Sequence, residues 1–208
     1  MSLAHRAVDI CQVQSESPKV LAEIFQDGVN LAVWQRRLPA QLEDFAALVI
    51  SLGQPLADQR VVEVNENEPP QLVGLLREAA DLQGYEAFVA DVTWLLSAYT
   101  CLLGARRVGL RLRVLHSAMC PRFHVDNVPV RLLTTYVGPG SDWLEEGVVE
   151  RSGLNLAPAP VDNIQRLRTG DVALLKGEKW LGNEGAGLIH RSPASQQGRL
   201  LLSLDWLA

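Results

Sequence analysis

Arg107-Val-Gly-Leu-Arg-Leu-Arg-Val-Leu115 is where the chain changes its period. Val108, Leu110, Leu112 and Val114 fall on one face of an extended strand, and Arg107, Arg111 and Arg113 fall on the other. Downstream, further strand candidates run over 130–137, 171–175, 187–190 and 199–206, separated by turns that contain Gly or Pro. Short strands in series with few helices predict an antiparallel sandwich or barrel. Upstream, to about Gly104, the spacing is helical. Ser17-Pro18 caps a stripe of Val20, Leu21, Ile24 and Phe25, and Val29–Trp34 is a short strand candidate. Pro39 opens a helix carrying Leu42, Phe45, Ala46, Val49 and Ile50, and two more are predicted over 71–82 and Tyr85–Leu103. The fold class expected is α+β: one domain over 1–208, with a mainly helical lead-in at 1–105 packed outside a strand-rich core at 106–208.

Composition limits what such a domain does. The 208 residues are 48% hydrophobic and 21% charged, a globular balance. Nineteen basic against 24 acidic residues give a net charge of −5, and no basic block is present, which argues against nucleic acid as the partner. The apolar stretches are cut by Arg, Asp, Gly or Pro before the ~20 residues a bilayer requires, so no membrane partner is expected. Met1 to Val13 lacks a basic region followed by an apolar one, and the three cysteines (Cys11, Cys101, Cys120) are far apart with no CxxC. A reducing, cytoplasmic setting is expected, without a disulfide framework or a thiolate zinc site.

The chemistry lies with the histidines, of which there are four (His5, His116, His124, His190). In His124-Val-Asp126 the spacing of two puts both side chains on one face of a strand, where they can grip one ion. His190 is the candidate third ligand. Two imidazoles and one carboxylate on one octahedral face leave open positions, the arrangement of non-haem Fe(II) oxygenases. About 0.2 chance His-x-Asp matches are expected in a chain of this composition, and a single strand histidine is more often core than ligand. The context adds weight: Gly170-Asp-Val-Ala-Leu-Leu175 precedes His190, and Arg199 follows it by nine positions at the head of the next strand. A guanidinium there is suited to hold the far carboxylate of a dicarboxylate that chelates the metal.

The order His-x-Asp, Gly-Asp-x-Ala-Leu-Leu, His and Gly-Arg resembles the Fe(II)/2-oxoglutarate-dependent oxygenase superfamily over about residues 106–208. Nearly the whole chain, above all Cys120-Pro-Arg-Phe-His-Val-Asp-Asn-Val-Pro129 and Leu132-Leu-Thr-Thr-Tyr-Val-Gly-Pro-Gly140, is similar to the bacterial domain-of-unknown-function family 1826 (DUF1826). The resemblance implies a double-stranded β-helix, or jelly roll, and a hydroxylase acting on a small molecule or a protein side chain. His124, Asp126 and His190 match the iron ligands, and Arg199 matches the anchor of the 2-oxoglutarate tail. Ser203 resembles a hydroxyl that some members place near that tail, here four residues after the arginine rather than two. No further catalytic residue is implied, and no substrate.

Two other readings stay open: a non-catalytic or regulatory module whose His/His/Asp site holds zinc, and a cupin-type enzyme, although the cupin run of two close His before Glu is absent. His116, in phase with Val108–Val114, is expected in the interior. Cys120 is expected as a buried thiol, Trp34, Trp94 and Trp206 as core, and Thr134 and Tyr136 as pocket-lining or packing residues. Trp143 and Trp180 are read as loop residues that either cover a ligand or anchor the loop. The stretch 138–160, with Glu145, Glu146 and Glu150, is read as a long connection.

Overall fold

The protein is described from a computed structural model, over residues 9–65, 68–154 and 161–207. His5 and residues 155–160 of the long connection lie outside the described residues.

Strands β1 (Cys11–Ser15), β2 (Val29–Trp34), β3 (Ala57–Glu63), β4 (Arg107–Leu115), β5 (Val130–Val137), β8 (Val172–Lys176) and β10 (Arg199–Leu207) form a seven-stranded sheet in the order β1-β2-β8-β5-β10-β4-β3. Strands β6 (Asp142–Leu144), β7 (Ile164–Arg166) and β9 (His190–Arg191) form a second sheet in the order β7-β6-β9. Pairing is antiparallel throughout except between β1 and β2.

The alternation in β4 separates two environments. Val108, Leu110, Leu112 and Val114 join Val130, Leu132 and Tyr136 of β5 and Leu200, Leu202 and Leu204 of β10 in a core shared with two helices. These are α1 (Ala40–Ser51), entered from Pro39, and α2 (Tyr85–Leu103), set between the left-handed Gly84 and Gly104. The opposite residues, Leu133, Leu201, Ala173, Leu175, Leu31 and Val33, pack with Trp143 and Leu188 from the second sheet and its approaches. The two-residue period therefore sends one set of side chains to the helices and the other between the sheets.

The N-terminal half is not simply helical: it supplies three strands of the large sheet. β3 pairs residue for residue with β4 yet shows six of its seven residues wholly or partly to solvent, so its sequence lacks an apolar alternation. The helix expected over 71–82 is absent. Gly74 at φ 66° and Leu76 at φ 48° interrupt it, leaving a 3₁₀ turn at Arg77–Ala79, while Leu72, Leu75, Leu76 and Ala79 stay buried. The apolar spacing there reports burial and not helix. Within the stretch read as a connection, β6 is a regular strand of three residues, and β7, also of three, follows just beyond it.

α2 has the length and apolarity to cross a membrane by composition, but seven of its 19 residues are buried in the core. Its Asp91 pairs with Arg36 at 2.8 Å and accepts a hydrogen bond from the Tyr136 hydroxyl at 2.6 Å, fixing the helix to the sheet.

Candidate metal centre

The two histidines meet through the backbone. The His124 amide donates to the His190 carbonyl and the His190 amide to the His124 carbonyl, both at 3.0 Å, an isolated antiparallel bridge that extends the β7-β6-β9 sheet by one position. The imidazole centres lie 4.6 Å apart. Asp126, two residues on, brings its Oδ2 to 3.3 Å from His190 Nε2 and its Oδ1 to 3.8 Å from His124 Nε2. One ligand atom from each of the three residues lies within 4.8 Å of the other two.

Their protonation is set by the backbone too. His124 Nδ1 is 2.9 Å from the Arg122 carbonyl and His190 Nδ1 is 3.1 Å from the Leu188 carbonyl. A carbonyl only accepts, so both Nδ1 atoms donate; on a neutral ring Nε2 then keeps a lone pair for a metal, and on a protonated His190 it donates instead to Asp126. Burial, and then the neighbouring His190, push the His124 pKa down, which favours the neutral form a ligand requires. Burial alone would raise the Asp126 pKa. The hydrogen bond and charge from His190, with the charges of Arg131 and His124, outweigh it and hold Asp126 at about 2. Arg131 Nη1 donates to Asp126 Oδ2 at 2.7 Å.

Glycine positions this acid. The backbone of Gly177 runs so close to the His-x-Asp segment that a Cβ there would collide with the carbonyl oxygens of Asp126 and Val128. The Glu178 amide in turn donates to the Asp126 carbonyl at 2.9 Å.

Arg199 stands at the start of β10, 3% exposed. Its Nη2 reaches the Thr135 and Ser141 hydroxyls at 3.2 and 3.3 Å, while Nε and Nη1 are buried with no partner among the described residues. Among the described residues no carboxylate pairs with it. Burial pushes its pKa down to about 10, with Asp142 opposing and Arg166 adding to the fall. A buried guanidinium with two unanswered donors is costly unless an anion completes it.

The other sequence-derived candidates separate by strand face. Ser203 shares the Arg199 face of β10 and lines a cleft of about 70 Å³ with His124, His190, Arg131 and Leu133, but no hydrogen bond joins it to Arg199. Thr134 and Tyr136 point to the helix-side core, and Thr135 is the β5 hydroxyl that meets Arg199. His116 is exposed past the end of β4, and the face it was expected to share meets the helices. Cys120 is exposed at the cleft, not buried. Trp94 is 51% exposed, whereas Trp143 is buried between the sheets. Trp180 packs on Phe25 and Trp206.

Composition and spacing did not point to Arg131, Asp205 or Arg111. Asp205, 1% exposed, accepts from Arg131 Nε at 2.6 Å and Arg111 Nη1 at 2.7 Å. Its signal was present in the sequence: a carboxylate inside Leu200-Leu-Leu-Ser-Leu-Asp205, on the Arg199 face, must find a cation if buried.

Residues 15–205 match the family model described as "Protein of unknown function (DUF1826)". The chain belongs to the DUF1826 family. No curated protein matches it. Among solved structures this DUF1826 chain is similar to dioxygenase for auxin oxidation 1 from Arabidopsis thaliana in its 2-oxoglutarate complex, at 11% identity and TM-score 0.58, covering 96% of this chain and 92% of that one. It is also similar to a candidate oxygenase from Shewanella oneidensis, at 11% identity and TM-score 0.50, covering 95% and 90%. At these identities the likeness is one of fold, shared with 2-oxoglutarate oxygenases.

Proposed function

We propose that this DUF1826 protein is a non-haem Fe(II)/2-oxoglutarate-dependent oxygenase, a hydroxylase whose chain 1–208 forms one domain around a double-stranded β-helix. The sheet orders support that fold: β4, β10, β5 and β8 of the large sheet face β7-β6-β9, with the His124 bridge completing the smaller sheet. The large sheet draws strands from both halves of the chain, which supports a single domain.

The observation that carries the reading is Arg199, a buried guanidinium whose Nε and Nη1 have no partner among the described residues, on the sheet face that also bears Ser203 and Asp205. The donor set fits iron: two Nε2 lone pairs and one ionised carboxylate. Bound Fe(II) supplies, with 2-oxoglutarate and dioxygen, oxidation of a substrate C–H bond. The chain's own residues do the positioning. His124, Asp126 and His190 would hold the metal. Arg131 keeps Asp126 ionised and oriented by its 2.7 Å hydrogen bond. Arg199, Thr135 and Ser141 would take the far carboxylate of 2-oxoglutarate, answering the two idle donors. Leu133 and Leu201, packed between the sheets, give the space beside the triad an apolar wall.

The test is anaerobic titration of purified protein with Fe(II) and then 2-oxoglutarate. A visible absorption band that requires both additions, followed by 2-oxoglutarate-dependent oxygen consumption, is expected. Tight zinc binding that is indifferent to 2-oxoglutarate, with no band, would instead support the non-catalytic metal module.

A further inference from the structure

Arg111, Arg113, Arg131 and Arg191 line the cleft beside the triad, and among the described residues no Asp or Glu does. Their charges are unequally answered. Arg131 is answered by both Asp205 oxygens and by Asp126, while Arg111 Nη1 has only Asp205 Oδ2, at 2.7 Å, which it shares with Arg131 Nη2 at 3.0 Å. Arg191 donates to Asp142 at 3.1 Å, a carboxylate already engaged by Arg166 at 2.7 Å. Arg113 meets only neutral atoms among the described residues: the Met119 sulfur and the Gln59 side-chain oxygen, each at 3.0 Å. In a chain where acids outnumber bases 24 to 19, this is a local excess of positive charge facing an open cleft.

The excess is separate from Arg199. Register places Arg111 opposite Ser203 and Arg113 opposite Leu201 of β10, whereas Arg199 lies opposite Leu115. Along a strand, the four residues from Arg199 to Ser203 span about 13 Å. Two anion-reading groups thus lie apart: buried Arg199, which meets the cleft only through the Ser141 hydroxyl, and in the cleft itself partly exposed Arg113 and Arg111 with Ser203.

We propose that the primary substrate is a small carboxylic acid whose carboxylate is held by Arg113, with Arg111 and Ser203 beside it. This rests on the oxygenase reading and names its substrate class. A planar guanidinium fork pairs with a planar carboxylate through two parallel hydrogen bonds, and the neutral contacts of Arg113 can yield to such a partner without breaking an ion pair.

The test uses butyrate and its neutral analogue butyramide as probes, followed by the side-chain NMR signal of Arg113, with and without Mn(II) and saturating 2-oxoglutarate. Butyrate should shift the Arg113 signal and butyramide should not. With Mn(II) bound, the butyrate resonances should broaden. Arg113→Gln should weaken butyrate binding about tenfold. Gln59→Glu, which gives Arg113 an internal carboxylate, should do the same on an intact fold. Both variants should leave 2-oxoglutarate affinity within about twofold. Equal binding of butyramide, butyrate affinity unchanged in both variants, displacement of 2-oxoglutarate by butyrate, or tighter binding of inorganic phosphate at Arg113 would each overturn the proposal. An Arg113 response without any uptake of Mn(II) or 2-oxoglutarate would leave the carboxylate site standing and remove the oxygenase reading alone.

Discussion

His124 and His190, 66 positions apart, exchange two main-chain hydrogen bonds of 3.0 Å, so the backbone that orders one imidazole also orders the other. The metal-binding geometry is therefore a property of the sheet and not of flexible side chains closing on an ion. Replacing His124 by Ala removes a half-buried ring and one ligand atom while leaving both main-chain bonds in place. Fe(II) affinity measured by calorimetry should fall at least about a hundredfold, with the unfolding temperature of the metal-free protein little changed.

Acid should destabilise the metal-free protein through Asp126. Its carboxyl titrates at about 2 in the folded chain against an ordinary 3.8. Between those values the unfolded chain binds the proton and the native one does not, so stability present above about pH 4 is lost as the pH falls toward 2, an effect of about 2 kcal/mol. Urea unfolding across this range, compared with Asp126→Asn, reads it. The variant should lack that share of the pH dependence.

Asp205 and Arg131 form a pair whose halves depend on each other. Arg131→Met leaves the buried Asp205 carboxylate with Arg111 alone and should cost about 3–5 kcal/mol in unfolding free energy. Adding Asp205→Leu to that variant should recover part of the loss, since Asp205 no longer lacks its cation while Asp126 still does. Independent, additive losses in the double mutant would contradict the pairing.

Arg199 should act in the opposite sense. Its buried guanidinium has no carboxylate partner among the described residues, so Arg199→Leu should raise the stability of the ligand-free protein by about 1–4 kcal/mol. A residue whose removal stabilises the fold is kept for a ligand, and chemical denaturation without 2-oxoglutarate distinguishes this from a packing role.

The sequence made some of this legible, for physical reasons that differ from residue to residue. His124 and Asp126 were readable as a pair by their spacing of two; the segment is no strand, only a single bridge at His124 with Asp126 beyond it, yet their ligand atoms converge. The two faces of β5 were readable, but alternation alone does not say which face the second sheet covers. Of the two readings left open for Thr134 and Tyr136, packing is the one that holds: they face the helix side, where Tyr136 bonds Asp91, and Thr135 is the hydroxyl at Arg199. β3 escaped because Asp58, Gln59 and Arg60 on a mostly exposed strand carry no apolar period. β6 and β7, at three residues each, are too short to show one. The segment 71–82 misled for the converse reason: its leucines are buried at helical spacing by turns.

The most direct test is the dissociation constant of 2-oxoglutarate for the anaerobic Fe(II)-loaded protein, measured by calorimetry in parallel on the wild type and Arg199→Leu. Loss of the charge-assisted grip on the far carboxylate should weaken binding at least about thirtyfold while Fe(II) still binds both proteins equally. Equal 2-oxoglutarate affinity in the two proteins would contradict the assignment of Arg199 as its anchor.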